Sequence, residues 1–147
     1  MRTLHTAPLL RLTRDGDPLP DHAVLVSADR IEAVGPLVEL SAAYAGVRVR
    51  RWPGTLGPGL LHEGALPVAP TPRERVHALL RRGVTAVLAE HLADPALRAA
   101  VDRSDLLVLP AAVVPVLVAG ERADLAVHDG DACLMTVVAG RIAHRRA

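Results

Sequence analysis

A chain of 147 residues, half of them apolar, is long enough for one domain with a real core; with no Phe, one Tyr and one Trp, that core must be built from Leu, Val, Ile and Ala. Seventeen basic residues, all of them Arg, against sixteen acidic ones leave a formal charge of +1, which argues against nucleic acid or an anionic membrane as partner. The single cysteine, Cys133, excludes an internal disulfide, and no apolar run has the make-up of a signal peptide or the ~20 residues of a membrane span, so a cytoplasmic protein is expected.

The first third reads as short strands. Leu9–Thr13 precedes the turn-forming RDGDPLP; His22–Ser27 alternates around Val24 and Val26; Arg30–Gly35 follows after a tight Ala28-Asp29 link. A polar-apolar piece, PLVELSAAYAG, then leads into VRVRRW, where Arg48 and Arg50 alternate with Val47 and Val49, as in a sheet with one wet face. From Pro53 to Pro72 the chain is rich in Pro, Gly and Ala, and no regular element is expected there.

TPRERVHALLRRG carries the clearest helix signals: Thr71 as N-cap, Pro72 at the first helical position, Glu74 placed for a capping box, an apolar stripe of Val76, Leu79 and Leu80, and Gly83 as the stop. Val84–Ala89 follows as a buried strand. Asp94 and Pro95 repeat the start grammar for a helix over Leu97, Ala100 and Val101, and Leu106–Pro110 reads as a further strand. VVPVLVAG, ADLAVHDG, CLMTVVAG and IAHRR then return to runs of strand length, with Pro115 making the first an edge strand or no strand. Strands at both ends around a helix-strand-helix-strand middle suggest one sheet layer built from both termini, with the middle inserted.

Four segments in order resemble the metal-dependent amidohydrolase superfamily, in particular its imidazolonepropionase-like and guanine deaminase-like branches. ADRIEAVG (Ala28–Gly35) is similar to the N-terminal sandwich hairpin, PGTLGPGLLHEGA to the passage from sandwich to barrel, ERVHALLRRGVTAV (Glu74–Val87) to the first barrel helix and next strand, and AGERADLAVHDG with TVVAGRIAHR to the C-terminal return. The resemblance implies a mainly β fold with an α/β insertion: a composite β-sandwich formed by both chain ends, residues 1–57 and 111–147, and a truncated barrel remnant of two helices and two short strands in residues 58–110. It also implies a pair of metal-binding histidines, but the matching positions hold Gly64 and Leu66, with His62 just ahead of them. Only about forty residues separate the first barrel-like helix from the C-terminal sandwich part, against roughly 250 for a closed barrel.

His62 and Glu63, on a Gly-rich loop, are candidates for an acid-base pair or two ligands of a metal site; the plainer reading is an exposed loop. His91 is a third catalytic candidate because it follows a strand end, where sites of α/β proteins collect. His128, Asp129 and Asp131, with His144 brought near by strand pairing, could hold a divalent ion, although DGD is equally the composition of a hairpin turn. Cys133 reads as a small buried hydrophobe rather than a nucleophile. Arg48, Arg50 and Arg51 could recognise a carboxylate or phosphate, but their alternation fits a solvated sheet face.

The function expected is that of a structural or interaction subunit without the family's hydrolysis and without a cofactor. It would self-associate as a dimer, or bind a protein partner, to cover the apolar faces a partial barrel leaves open. One rival is a miniature hydrolase for a carbon-nitrogen bond of a small cyclic substrate, which would need a divalent metal at His62, Glu63, His91 or His128. Another is a small-ligand binder in the cleft beside Pro53–Pro70.

Overall fold

The computed structural model describes residues 1–146. In chain order it contains β1 (Arg2–Thr6), β2 (Leu9–Leu10), β3 (Leu19–Pro20), β4 (His22–Ser27), β5 (Arg30–Pro36), α1 (Leu37–Ala43), β6 (Arg48–Arg51), β7 (Thr55–Pro58) and β8 (Leu60–His62). There follow α2 (Pro72–Leu80), β9 (Val84–Leu88), a 3₁₀ turn (Ala89–His91), α3 (Pro95–Arg103), β10 (Leu107–Leu109), β11 (Leu125–Asp129), β12 (Ala132–Val138) and β13 (Arg141–Arg145).

Two sheets form a sandwich. One has the order β5-β4-β1-β6 and the other β13-β12-β11-β7-β2-β3. The second joins both chain ends, because β7 pairs antiparallel with β11, placing Leu125 opposite Pro58 and Val127 opposite Leu56. The inner faces meet in a core of Val24, Val26 and Ile31 from one sheet and Leu10, Leu56, Leu125, Val127, Met135 and Val137 from the other. Alternation sends Ala23 and Leu25 of β4 outward, where they join Leu4 and are covered by Leu40 of α1.

PLVELSAAYAG, too short to show a clear helical period, folds as α1 because the apolar outer face of β4 and β1 needs burying, together with Val47 and Val49. β6 lies parallel to β1, not in an antiparallel ladder. The expected strand Leu9–Thr13 shrinks to Leu9–Leu10, after which Thr13 makes a single bridge to Val116. VVPVLVAG holds no strand beyond that bridge.

The middle of the chain forms a separate parallel sheet of order β10-β9-β8. Strand, helix and strand alternate as in successive units of a barrel, and neighbours in sequence are neighbours in the sheet. Its three strands exceed the two expected, and the Pro53–Pro72 stretch is less irregular than its prolines suggest, since it contains β7 and β8. Pro58 ends its strand, and Gly59 between the two strands lies where a Cβ would run into the side chain of Thr85, so only glycine lets β8 lie this close to β9.

Helices α2 and α3 cover one face of this sheet through Val76, Leu79, Leu80, Leu97, Ala100 and Val101. Thr71 caps α2 by accepting from the Glu74 N–H at 3.2 Å, and Asp94 caps α3 by accepting from Ala96 at 3.0 Å. The α2 end is tied to the sandwich: the Thr136 hydroxyl donates to the Leu80 carbonyl at 2.7 Å, and His128 Nε2 lies 3.1 Å from the Arg82 carbonyl oxygen.

Candidate functional site

In a parallel αβ sheet the chemistry-bearing positions are the carboxyl ends of the strands. Here those ends carry His62 as the last residue of β8 and Glu63 just after it, His91 after β9, and Pro110 after β10. His62 is half-buried and turns back on its own loop, with Nε2 2.8 Å from the Ala65 carbonyl oxygen. Glu63 is exposed and faces the groove beside Val113 and Val114. His91 lies next in sequence to Glu90, whose carboxylate is 3.8 Å away.

The two positions where the resemblance expects histidines have lost any common direction. Gly64 is exposed, whereas Leu66 is buried in the core between the barrel strands and helices. Arg75 of α2 fixes this loop by donating to the carbonyls of Pro67 and Leu66, each at 3.0 Å. An apolar plug and an arginine clamp thus occupy the place of a ligand pair.

The second candidate set lies on the β11–β12 hairpin. Asp129 and Asp131 are exposed on either side of Gly130, which turns the chain at φ +60°. His128 points the other way, toward Arg82, and His144 lies opposite Thr136 on β13, with Nε2 3.3 Å from the Cys133 carbonyl oxygen. The hairpin therefore separates the four groups instead of converging them.

It does bring His128 opposite Cys133 across the strands. The Cys133 hydrogen bond raises the His128 pKa against the effect of burial, with the Arg82 carbonyl acting in the same direction. Burial pushes the Cys133 thiol up, but its hydrogen bonds to His128 and to Thr136 outweigh that and bring it below its ordinary value. Cys133 is buried, so this pair serves the interior of the hairpin.

The groove beside the Pro-rich stretch runs along the face of the parallel sheet opposite α2 and α3. Leu61, Ala86, Leu107 and Leu109 line it, and the segment of Val113, Val114 and Pro115 passes over it. Its volume is about 300 Å³, and it is open to solvent, since Val113 and Val114 are 58% and 76% exposed.

A further feature escaped the sequence reading. Arg50, Arg51, Arg145 and Arg146 share one cleft of about 490 Å³ beside Trp52, between β6 and the end of β13. The RVRR run was visible in the sequence as an alternating face, but nothing local signals that residues almost a hundred positions later join it; the only hint is the second basic run, HRR, at the other end of the chain.

Neither a protein-family profile nor a curated protein sequence matches the chain. Solved structures do. Helicobacter pylori aminofutalosine deaminase superposes with a TM-score of 0.57 at 17% identity, over 74% of this chain and 32% of that one. Guanine deaminase from Bradyrhizobium japonicum gives 0.57 at 16% identity over 73% and 34%. A zinc-bound adenosine deaminase from Xanthomonas campestris gives 0.54 at 22% identity over 73% and 33%.

The chain thus has a fragment of the amidohydrolase-superfamily fold. It spans about a third of the length of these neighbours, as a sandwich joined to a sheet of three parallel strands.

The Xanthomonas neighbour holds zinc. The residues here do not fit such an ion: Gly64 and Leu66 supply no donor, His62 faces its own loop, and among the described residues no three His, Cys, Asp or Glu side chains gather where they could hold a metal. Among those residues, no helix is long and apolar enough to cross a membrane.

Proposed function

We propose that this chain is a binding module that self-associates, and not a metal-dependent hydrolase. The observation that carries this reading is the flank of the parallel sheet turned away from α2 and α3. There Leu107, Val113, Val114 and Val116 border one groove and are exposed, beside the outer edge of β10. Contiguous apolar surface next to an unpaired strand edge is costly to leave in water and is a ready template for another chain.

A second copy of the same chain is the simplest occupant, because a two-fold interface lets one apolar flank cover its twin. The rival of a miniature hydrolase needs His62, Glu63, His91 or His128 to act together, and their placement on separate loops and strands argues against it. The rival of a small-ligand binder in the groove beside Pro53–Pro70 is weakened by the openness of that groove.

Sedimentation velocity at micromolar concentration tests the proposal. A dimer is expected, with Val114→Asp driving it to monomer and Val68→Asp, on a still more exposed side chain in the loop before α2, leaving it intact. A wild-type chain that stays monomeric would remove the reading.

A further inference from the structure

We infer that the cleft between β6 and the end of β13 is a binding site for a compact, phosphate-rich anion carrying two or three linked phosphate groups. Four arginines are among its lining residues, Arg50 and Arg51 from β6 and Arg145 and Arg146 from the last strand and the residue after it, with Trp52 and Leu134 as its apolar wall. Among the described residues, no carboxylate side chain lines it.

This concentration of charge is not explained by overall composition. The chain has sixteen acidic residues, and Arg2, Arg30, Arg98, Arg122 and Arg141 each find one of them as partner. Among the described residues, none of the four cleft arginines does. Burial first, and then the charges of Arg48 and Arg145, make Arg50 easier to deprotonate than a free arginine. Gathering like charges in this way opposes folding, and an anion from solution relieves it.

The cleft is also organised before any ligand arrives. Arg50 and Arg51 are fixed by the β6 ladder, opposite His5 and Thr6 of β1. The Arg145 guanidinium lies over the Trp52 ring at 5.4 Å, and the Arg146 N–H donates to the Leu134 carbonyl at 2.9 Å. Trp52 is held in turn by its indole N–H, which donates to His5 Nδ1 at 3.2 Å.

Ligand size and type follow from the groups present. A guanidinium fork matches two phosphate oxygens at once, so a cleft bordered by several arginines suits linked phosphates better than a single one. A volume of about 490 Å³ is that of a small-molecule site. Nucleic acid fits less well, because Trp52 is only 9% exposed and already engaged by Arg145 and His5, leaving no free aromatic surface for a base to stack on. This site lies on the sandwich, away from the apolar flank of the parallel sheet, and stands or falls independently of self-association.

Because the chain has one tryptophan and it sits in the cleft, its emission reports on occupancy directly. The full chain is titrated with inorganic tripolyphosphate, orthophosphate, ATP and a single-stranded oligonucleotide at constant ionic strength. Saturable binding of tripolyphosphate is expected, with orthophosphate about tenfold weaker or more. Arg51→Gln and Arg146→Gln, both at exposed side chains, should each weaken tripolyphosphate about tenfold, while Arg103→Gln on α3 should change nothing. Near-ultraviolet circular dichroism verifies the fold of each variant, and Arg146→Lys, which keeps the charge and loses the fork, should fall between wild type and Arg146→Gln.

ATP binding about as tightly as tripolyphosphate assigns recognition to the phosphate chain, and tighter ATP binding assigns a nucleotide; both uphold the site. Absence of saturable binding, equal affinity for orthophosphate, or full affinity in the two glutamine variants would overturn it. An oligonucleotide binding tenfold more tightly than tripolyphosphate would overturn it in favour of a nucleic-acid surface.

Discussion

At the scale of single residues, the sandwich owes one pH dependence to His5. It is 3% exposed and stacks on Trp52 with ring centroids 6.3 Å apart. The indole N–H needs the His5 Nδ1 lone pair, so the neutral ring is the form that fits. Burial, and then the nearby Arg50 charge, bring the His5 pKa from 6.5 down to about 4. Because the folded value is the lower one, the unfolded chain takes up the proton first as pH falls. Stability is therefore unaffected by this group above pH 6.5 and is lost between 6.5 and 4, by up to about 3 kcal/mol. His128 works in the opposite sense: its folded pKa is raised, so its contribution is present below 6.5 and fades as pH rises through the folded value. Urea unfolding at pH 7 and pH 4.5 should show a net loss at the lower pH, and His5→Leu should flatten the profile in that window.

At the scale of elements, the join between α2 and β9 is a tight point of the fold. Helix α2 ends at Leu80 with Arg81 as its C-cap, and Gly83 then turns the chain into β9 at φ +90°. A Cβ on Gly83 would come within 2.8 Å of His128 Cε1 and 3.0 Å of the Ala126 side chain. Gly83→Ala combines a left-handed backbone penalty with overpacking against β11, for an expected loss of about 2–4 kcal/mol. Gly46, at φ +83° with no atom within 4 Å of its Cβ position, separates the two effects. Gly46→Ala should cost only the backbone part, about 1–2 kcal/mol. Denaturant midpoints of the two variants decide the matter, and equal losses would show that the contact with His128 is loose.

At the scale of the whole molecule, a sandwich needs no barrel to be stable, because its own core lies between its two sheets. The parallel sheet has a second core under α2 and α3, so three barrel-like strands persist without the remaining units of a closed barrel. Among the described residues, no three His, Cys, Asp or Glu side chains converge. Zinc or manganese added in excess should therefore leave the thermal midpoint unchanged, whereas an ion present at 100 times its Kd would add about 2.7 kcal/mol. A rise of several degrees, lost in a His62→Ala or His128→Ala variant, would restore the metal-hydrolase reading.

The sequence by itself determined the helices α2 and α3, down to their caps at Thr71 and Asp94, the two-residue link at Ala28-Asp29, and the order of strands around the C-terminal hairpins. Caps, turns and alternation act over a few residues, so a single chain displays them. It also determined that Gly64 and Leu66 stand where the amidohydrolase resemblance expects histidines, since identity needs no folding to be read. The tertiary structure decided the rest. α1 forms because the outer face of β4 needs covering, β8 because Gly59 allows close approach to Thr85, and the separation of His62, His91 and His128 follows from where their strands lie. The arginine cleft depends most on folding: β6 and β13 are edge strands of different sheets, and only packing those sheets against each other brings Arg50 and Arg51 to Arg145 and Arg146. Pairing across such sequence distances is set by burial of faces that are neutral to local propensity, and that is why the site was illegible in the chain and plain in the fold.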